Sequence, residues 1–417
     1  MTVLIAGGGI AGLSLGLTLH QIGVPFRIFE ATSQIRPMGV GINIQPNAVR
    51  ELFDLGLEDQ LDQIGVRTRQ YGFYSKLGKT IWEEPRGTWA GYSWPQYSIH
   101  RGKLQMMLYE TLLQRAGAEC IVTDARAVAY ENTPSGAVLH LGAGRFEGGL
   151  IIAADGIHSA LRAQMYPQEG PPIWGGAVLW RATSQAKPFF GGGAMALIGH
   201  DTQRLVAYPI SNPDPQTGEV VMNWIAELRI DPSQGWKKED WNRAADRGDF
   251  RPAFDDWKFD WIDVPGLIDS AAQVFEYPMV DRDPLERWTD GHVTLMGDAA
   301  HPTYPVGSNG ASQAIIDARV IGAKLVEHGI TAAALEAYEA EVRPVTTGVG
   351  LANRGSGPDA ILQRVEDLCG GDFGTIDEVI SLDDLAAHSA KYKSIAGFSI
   401  DALNAKPALI AKGARVA

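Results

Sequence analysis

Val3-Leu4-Ile5-Ala6-Gly7-Gly8-Gly9-Ile10-Ala11-Gly12, the apolar run that continues to Ile22-Gly23, and then Pro25-Phe26-Arg27-Ile28-Phe29-Glu30 decide the fold. Val3 to Ala6 has the unbroken apolar character of a parallel strand covered on both faces. Gly7, Gly9 and Gly12 fill G-x-G-x-x-G: the first makes the tight turn, the second lets backbone approach a pyrophosphate, and the third lets helix and strand pack closely. The spacing predicts a helix from about Ile10 to Ile22, with free N–H groups and its positive dipole end toward the phosphates and Gly23 as a left-handed cap. Glu30 then falls about 20 residues past the turn, where its carboxylate can accept from a ribose 2′-hydroxyl and would repel a 2′-phosphate. This is a dinucleotide-binding unit, with Ala11 inside its turn.

The rest of the chain sets the context. At 417 residues and 45% hydrophobic composition it can bury a large core and divide into two domains. A net charge of −13 argues against attraction to nucleic acid or to an anionic membrane. The N-terminus has no basic leader, and no apolar run reaches membrane-spanning length, so a cytoplasmic protein, monomer or homodimer, is expected. Cys120 and Cys369 are isolated and predict neither a disulfide nor a thiol redox pair. The nine histidines offer no metal-ligand spacing and no Ser-His-Asp arrangement, so no metal is expected.

All eleven tryptophans lie between Trp82 and Trp288. In that region 177–182, 204–210 and 220–225 are rich in β-formers and read as strands of an antiparallel sheet. On either side, 149–154 and 292–296 read as buried strands returning to the first domain. The expected architecture is α/β: a Rossmann-like, glutathione-reductase-type domain built discontinuously from 1–75, 98–175 and 270–355, an inserted sheet domain from 76–97 and 176–269, and a helical segment over 356–417. Residues 333–353 predict a helix interrupted at Pro344.

Two further motifs identify the dinucleotide. Leu295-Met296-Gly297-Asp298 ends a strand so that backbone passes close to a ligand and a carboxylate meets a polyol hydroxyl, which a flavin's ribityl chain offers and NAD lacks. Pro305-Val306-Gly307-Ser308-Asn309-Gly310 opens a helix whose N-terminus can stabilise negative charge on a reduced flavin ring. Asp155-Gly156, also at a strand end, is a third cofactor-proximal element. His301 and His100 are read as structural.

With these motifs in this order, the chain resembles the class A FAD-dependent aromatic hydroxylases, the family of p-hydroxybenzoate hydroxylase, up to about Asn353. Within that family it is similar to phenazine-carboxylate hydroxylases, sharing Ile35-Arg36-Pro37, Gly39-Val40-Gly41-Ile42-Asn43-Ile44-Gln45-Pro46, Tyr97-Ser98-Ile99-His100-Arg101-Gly102, Leu104-Gln105, 277–284 and 310–315. The resemblance implies that Arg36, Arg101 and Gln105 contact FAD, that Asp298 meets its ribityl and pyrophosphate region, and that Val40, Gly41 and Ile42 together with Pro305, Gly307, Ser308, Asn309 and Gly310 border the isoalloxazine. It also implies reduction by NADH or NADPH, reaction with O₂ and oxygen transfer from a flavin C4a-hydroperoxide to an aromatic acid of aminohydroxybenzoate or phenazine type, in secondary metabolism.

Pro305, Gly307 and Asn309 beside the ring, with Tyr208 and Arg204 on the sheet, are the expected catalytic residues. Tyr97, Trp180, Met222, Trp224 and Pro305 complete the expected substrate pocket, with Arg204 preferred over Arg181 as the carboxylate partner. Two other functions share the same cofactor signals: a flavoprotein reductase that does not activate oxygen, and an FAD-containing protein that only binds an aromatic ligand.

Overall fold

Val3–Ala6 lies in the middle of a six-stranded sheet and is almost wholly shielded from solvent, as its apolar run requires. It pairs in parallel with Phe26–Phe29 on one side and Leu150–Ala153 on the other. Ile121–Val122 and Val293–Leu295 extend the parallel order outward, and Thr289–Asp290 closes one edge antiparallel. Helix Ile10–Ile22 follows the first turn and ends on Gly23 at φ 76°, a left-handed cap that glycine adopts without steric cost. The computed structural model describes residues 1–231, 243–355 and 357–416. Residues 232–242 of the expected sheet domain, and Ser356 and Ala417 of the expected helical segment, therefore lie outside the described residues.

A seven-stranded sheet packs over the carboxyl ends of these strands. Its order is Val274–Asp281, Ile173–Ala186, Val220–Arg229, Gln203–Pro209, Ala194–His200, Gln70–Tyr74 and Thr80–Pro85. Every pairing is antiparallel except that of Ala194–His200 with Gln70–Tyr74. The sheet recruits strands from beyond the limits expected for it: Gln70–Tyr74 and Val274–Asp281 belong to it, whereas Gln96–His100 pairs with Gly41–Ile44 and Gly65–Thr68 in a small separate sheet. Local composition cannot report such pairing, because these strands resemble those of either domain.

The C-terminal part is helical. Ala332–Ala352 runs through Pro344 without a break, with Val342 and Val349 buried on either side of it, so core packing holds the helix despite the missing donor. Ala360–Cys369, Leu382–Ile395 and Ile400–Ala405 then cover the seven-stranded sheet and the loop before helix Gly310–His328.

Candidate active site

The glycine turn is built for a close ligand. A Cβ on Gly12 would stand 2.0 Å from the Gly7 carbonyl oxygen, and one on Gly7, at φ +106°, would stand 2.4 Å from that of Ala154. Around Gly9 there is open space within 4 Å, and no side chain caps the helix that follows, so its first N–H groups are left for a ligand. The Glu30 carboxylate accepts from Gly8 N–H at 2.7 Å and from the N–H and hydroxyl of Thr32 at 2.8 and 2.9 Å, which fixes it beside the turn. Gln105 donates to the Gly8 carbonyl at 3.1 Å, and Arg101 reaches Gln105 at 3.5 Å. His100 accepts from Gly102 N–H at 3.1 Å and so caps the helix that carries both.

A cavity of about 360 Å³ begins at Gly9, Ile10 and Ala11 and runs to the inner face of the seven-stranded sheet. Gly41, Ile42, Arg101, Gly156, Asp298, Pro305, Gly307, Ser308, Asn309 and Gly310 all line it. Asp298 is exposed where it opens on the cavity. Desolvation raises its carboxyl above the ordinary value, against the pull of His301 and Arg101. Burial likewise lowers Arg101, with Asp298 opposing. Behind Asp298, the Asp317 carboxylate accepts from Gly297 N–H at 2.8 Å and pairs with His301 at 2.7 Å, so this histidine anchors the loop. Asp155 accepts from Ala160 N–H at 3.1 Å with one oxygen, while the other is buried without a partner among the described residues, and the carboxyl is pushed up by burial.

Gly41 sits where the two halves meet. Its N–H donates to Asn223 Oδ1 at 2.6 Å, and its carbonyl accepts from Arg181 at 2.9 Å. A Cβ at Gly41 would collide with the Asn223 side chain at 2.6 Å. Neither Asn223 nor Glu227 was singled out from the sequence. The available signal was a pair of polar residues four places apart, and so on one face, in an otherwise apolar buried strand, which marks the face turned to a ligand.

Strand alternation corrects several expected contacts. Leu179, Arg181, Arg204, Val206, Tyr208, Ile225 and Glu227 face the cavity. Trp180, Met222 and Trp224 are one residue out of phase and point to the opposite face, into a core with Phe250. Trp180 stacks on Phe250 at 4.8 Å, and Trp224 donates to Ser184 Oγ at 2.9 Å. Tyr97 is fully buried in the core of the nucleotide half and donates to Asp62 at 2.6 Å, away from the cavity. Arg36 is on the surface, bonded to Gln34 at 2.7 Å.

Arg204 does line the cavity, but its guanidinium is committed to Glu227, through Nε at 3.0 Å, and to Asp359. An incoming carboxylate would be a third negative group at a charge already compensated. Arg181, by contrast, has a buried Nε with no hydrogen-bond partner among the described residues. Tyr208 is pushed up to about 12 by burial, against the pull of Arg181, and so stays protonated.

The cavity suits FAD on the evidence of its own residues. An uncapped helix start and an open glycine face match a pyrophosphate, an unshielded Asp298 matches ribityl hydroxyls, and the uncapped start of helix Gly310–His328 matches an electron-rich ring edge.

A family profile described as FAD binding domain matches residues 1–350. The chain is 42% identical over 361 residues to a phenazine 1,6-dicarboxylic acid hydroxylase from Lysobacter antibioticus, covering 84% of this chain and 89% of that one. It is 31% identical over 386 residues to a 3-amino-4-hydroxybenzoate 2-monooxygenase from Streptomyces platensis, covering 88% and 91%. Among solved structures, Klebsiella pneumoniae HpxO complexed with FAD and uric acid has the same fold, with a TM-score of 0.69 and 22% identity over 95% of this chain and 92% of that one. By fold and sequence alike, the chain belongs to the FAD-dependent class A aromatic monooxygenases.

Proposed function

We propose that this enzyme hydroxylates an electron-rich aromatic carboxylic acid of phenazine or aminohydroxybenzoate type in secondary metabolism, with NADH or NADPH as reductant and O₂ as the source of oxygen. One observation carries the substrate class: Arg181, held by its bond to the Gly41 carbonyl, keeps a buried Nε without a hydrogen-bond partner among the described residues, beside the Tyr208 hydroxyl in the cavity that joins FAD-binding motifs to sheet. A desolvated cation with a free donor favours a carboxylate. The names of two relatives, one a phenazine dicarboxylate hydroxylase and the other an aminohydroxybenzoate monooxygenase, support the same class.

FAD, when bound, supplies the two-electron and oxygen chemistry. Arg181 and Tyr208 hold the acid and fix which ring carbon faces the cofactor. Leu179, Leu197, Val206 and Ile225 give the cavity an apolar wall that excludes water and grips a planar ring. The free amides at the start of helix Gly310–His328 would balance negative charge on a flavin ring held there, without a side-chain base. Glu30, Arg101, Gln105, Asp155 and Asp298 hold the remainder of the cofactor.

The test is a panel of aromatic acids scored for stimulated NAD(P)H oxidation together with a product heavier by one oxygen atom. Stimulated oxidation that yields only hydrogen peroxide, or a tight ligand that never changes mass, would replace this reading with a reductase or a binding protein.

A further inference from the structure

Tyr392, buried on helix Leu382–Ile395, has its hydroxyl between two asparagines. Asn309 Nδ2 donates to it at 2.7 Å, and it donates to Asn353 Oδ1 at 2.9 Å. Asn353, just past helix Ala332–Ala352, gives its own NH₂ to Thr303 Oγ1 at 3.0 Å and to the Tyr304 carbonyl at 3.3 Å. The four links join both ends of the loop at 303–309 to the C-terminal helices.

Polarity fixes the direction of this chain. A backbone carbonyl only accepts, so Asn353 must turn its NH₂ to Tyr304 and its oxygen to Tyr392. The single hydroxyl proton of Tyr392 is then spent on Asn353, and the tyrosine can only accept from Asn309. An asparagine left alone could present either end of its amide. Here Asn309 has no choice: its NH₂ faces Tyr392, and its Oδ1 is left buried and without a partner among the described residues, on a residue that lines the cavity. The same hydroxyl packs against the loop backbone, since a Cβ on Gly307 would lie 2.0 Å from it. Next to it Ser308 holds φ +56°, a conformation that a residue with a Cβ adopts only when its surroundings impose it.

We propose that Tyr392 is a positioning residue: through Asn353 and Asn309 it locks the loop that borders the flavin and orients the Asn309 amide oxygen as a fixed acceptor for a ring N–H of the bound flavin. This gives the C-terminal helices a part in the active site. It rests on the reading that Pro305 to Asn309 face the isoalloxazine.

The experiment compares holoenzyme carrying Tyr392→Phe, Asn353→Ala and both, reading the visible spectrum and midpoint potential of bound FAD and its dissociation constant. Each single variant should shift spectrum and potential in the same direction and weaken FAD about fivefold, the worth of one hydrogen bond. The double variant should go no further than either alone, because one chain is being cut twice. Ser389→Ala loosens the same helix and should lower the melting temperature with the flavin spectrum unchanged. If Tyr392→Phe does not fold, Asn353→Leu, of similar size but without the acceptor toward Tyr392 or the donors to Thr303 and Tyr304, should give the same spectral shift. A spectral change from Ser308→Gly with none from Tyr392→Phe overturns the role of Tyr392 and leaves the loop at the flavin. Unchanged spectra in both overturn the role together with the placement of the loop.

Discussion

Arg181 and Arg204 are both on cavity-facing positions of strands that flank Val220–Arg229, yet their surroundings give them different work. Replacing Arg181 with Met removes the free donor, so KM for the aromatic acid should rise about 30-fold, equivalent to ~2 kcal/mol for a charged hydrogen bond, while the melting temperature barely moves. Arg204→Met should do the reverse. It leaves Glu227, raised by burial in spite of Arg204, without its counter-charge, at a cost of ~3–5 kcal/mol visible in urea melts. Equal effects of the two substitutions on KM would count against Arg181 as the carboxylate anchor. The sequence shows both arginines and cannot rank them, because their partners come from Asp359 and Gly41, more than a hundred residues away in each case. For the same reason the tryptophans misled: Trp180 and Trp224 look like stacking platforms, but alternation turns them into the core and gives the cavity their less conspicuous neighbours.

Two elements are tied down by ion pairs with opposite pH behaviour. Glu84, on strand Thr80–Pro85, accepts from Ser389 at 2.5 Å and Lys393 at 2.8 Å on helix Leu382–Ile395, and pairs with Arg86 at 2.7 Å. Burial pushes its carboxyl up, but Arg86 and Lys393 outweigh that and bring it down to about 2. A carboxyl held low in the folded chain stabilises fully above its ordinary value of 4.5 and loses that contribution as pH falls toward about 2. Glu84→Gln should therefore cost several kcal/mol at pH 7, and the gap to wild type should close in melts between pH ~4.5 and pH ~2.

His301 runs the other way. Burial favours the neutral ring, yet the Asp317 carboxylate raises it above 6.5. The pair thus stabilises fully below 6.5, and its contribution fades as pH rises through the higher folded value. His301→Gln should be most damaging at pH 6 and progressively less so toward pH 9; a constant difference across that range would mean that the ring is neutral throughout. At this scale the sequence was legible where a motif is local, as with the first strand, helix and Gly23 cap. The helical character of 356–417 was legible too, but not its role, because that is played by single side chains meeting distant loops.

Across the whole molecule, the nucleotide half, the seven-stranded sheet and the segment that leads into helix Ala360–Cys369, through Pro358 and Asp359, each supply a wall of one cavity. The discontinuous layout could be read from strands 149–154 and 292–296 returning to the first sheet, since their apolar runs match its centre. Which strands complete the second sheet could not, as pairing between 70–74 and 194–198 is a long-range choice. A ligand that bridges all three walls binds only when they are assembled, so FAD should stabilise them as one unit. At a free concentration 100 times its dissociation constant it should add ~2.7 kcal/mol to unfolding in urea. Tryptophan fluorescence reports mainly the sheet half, because the tryptophans cluster between 82 and 288, whereas far-ultraviolet dichroism is dominated by the helices. With FAD in excess, the two curves should coincide and move together to higher urea. A shift in the dichroism curve alone would mean that the cofactor touches the nucleotide half only, and a cavity shared by the three parts would no longer explain how the ring is brought to its substrate.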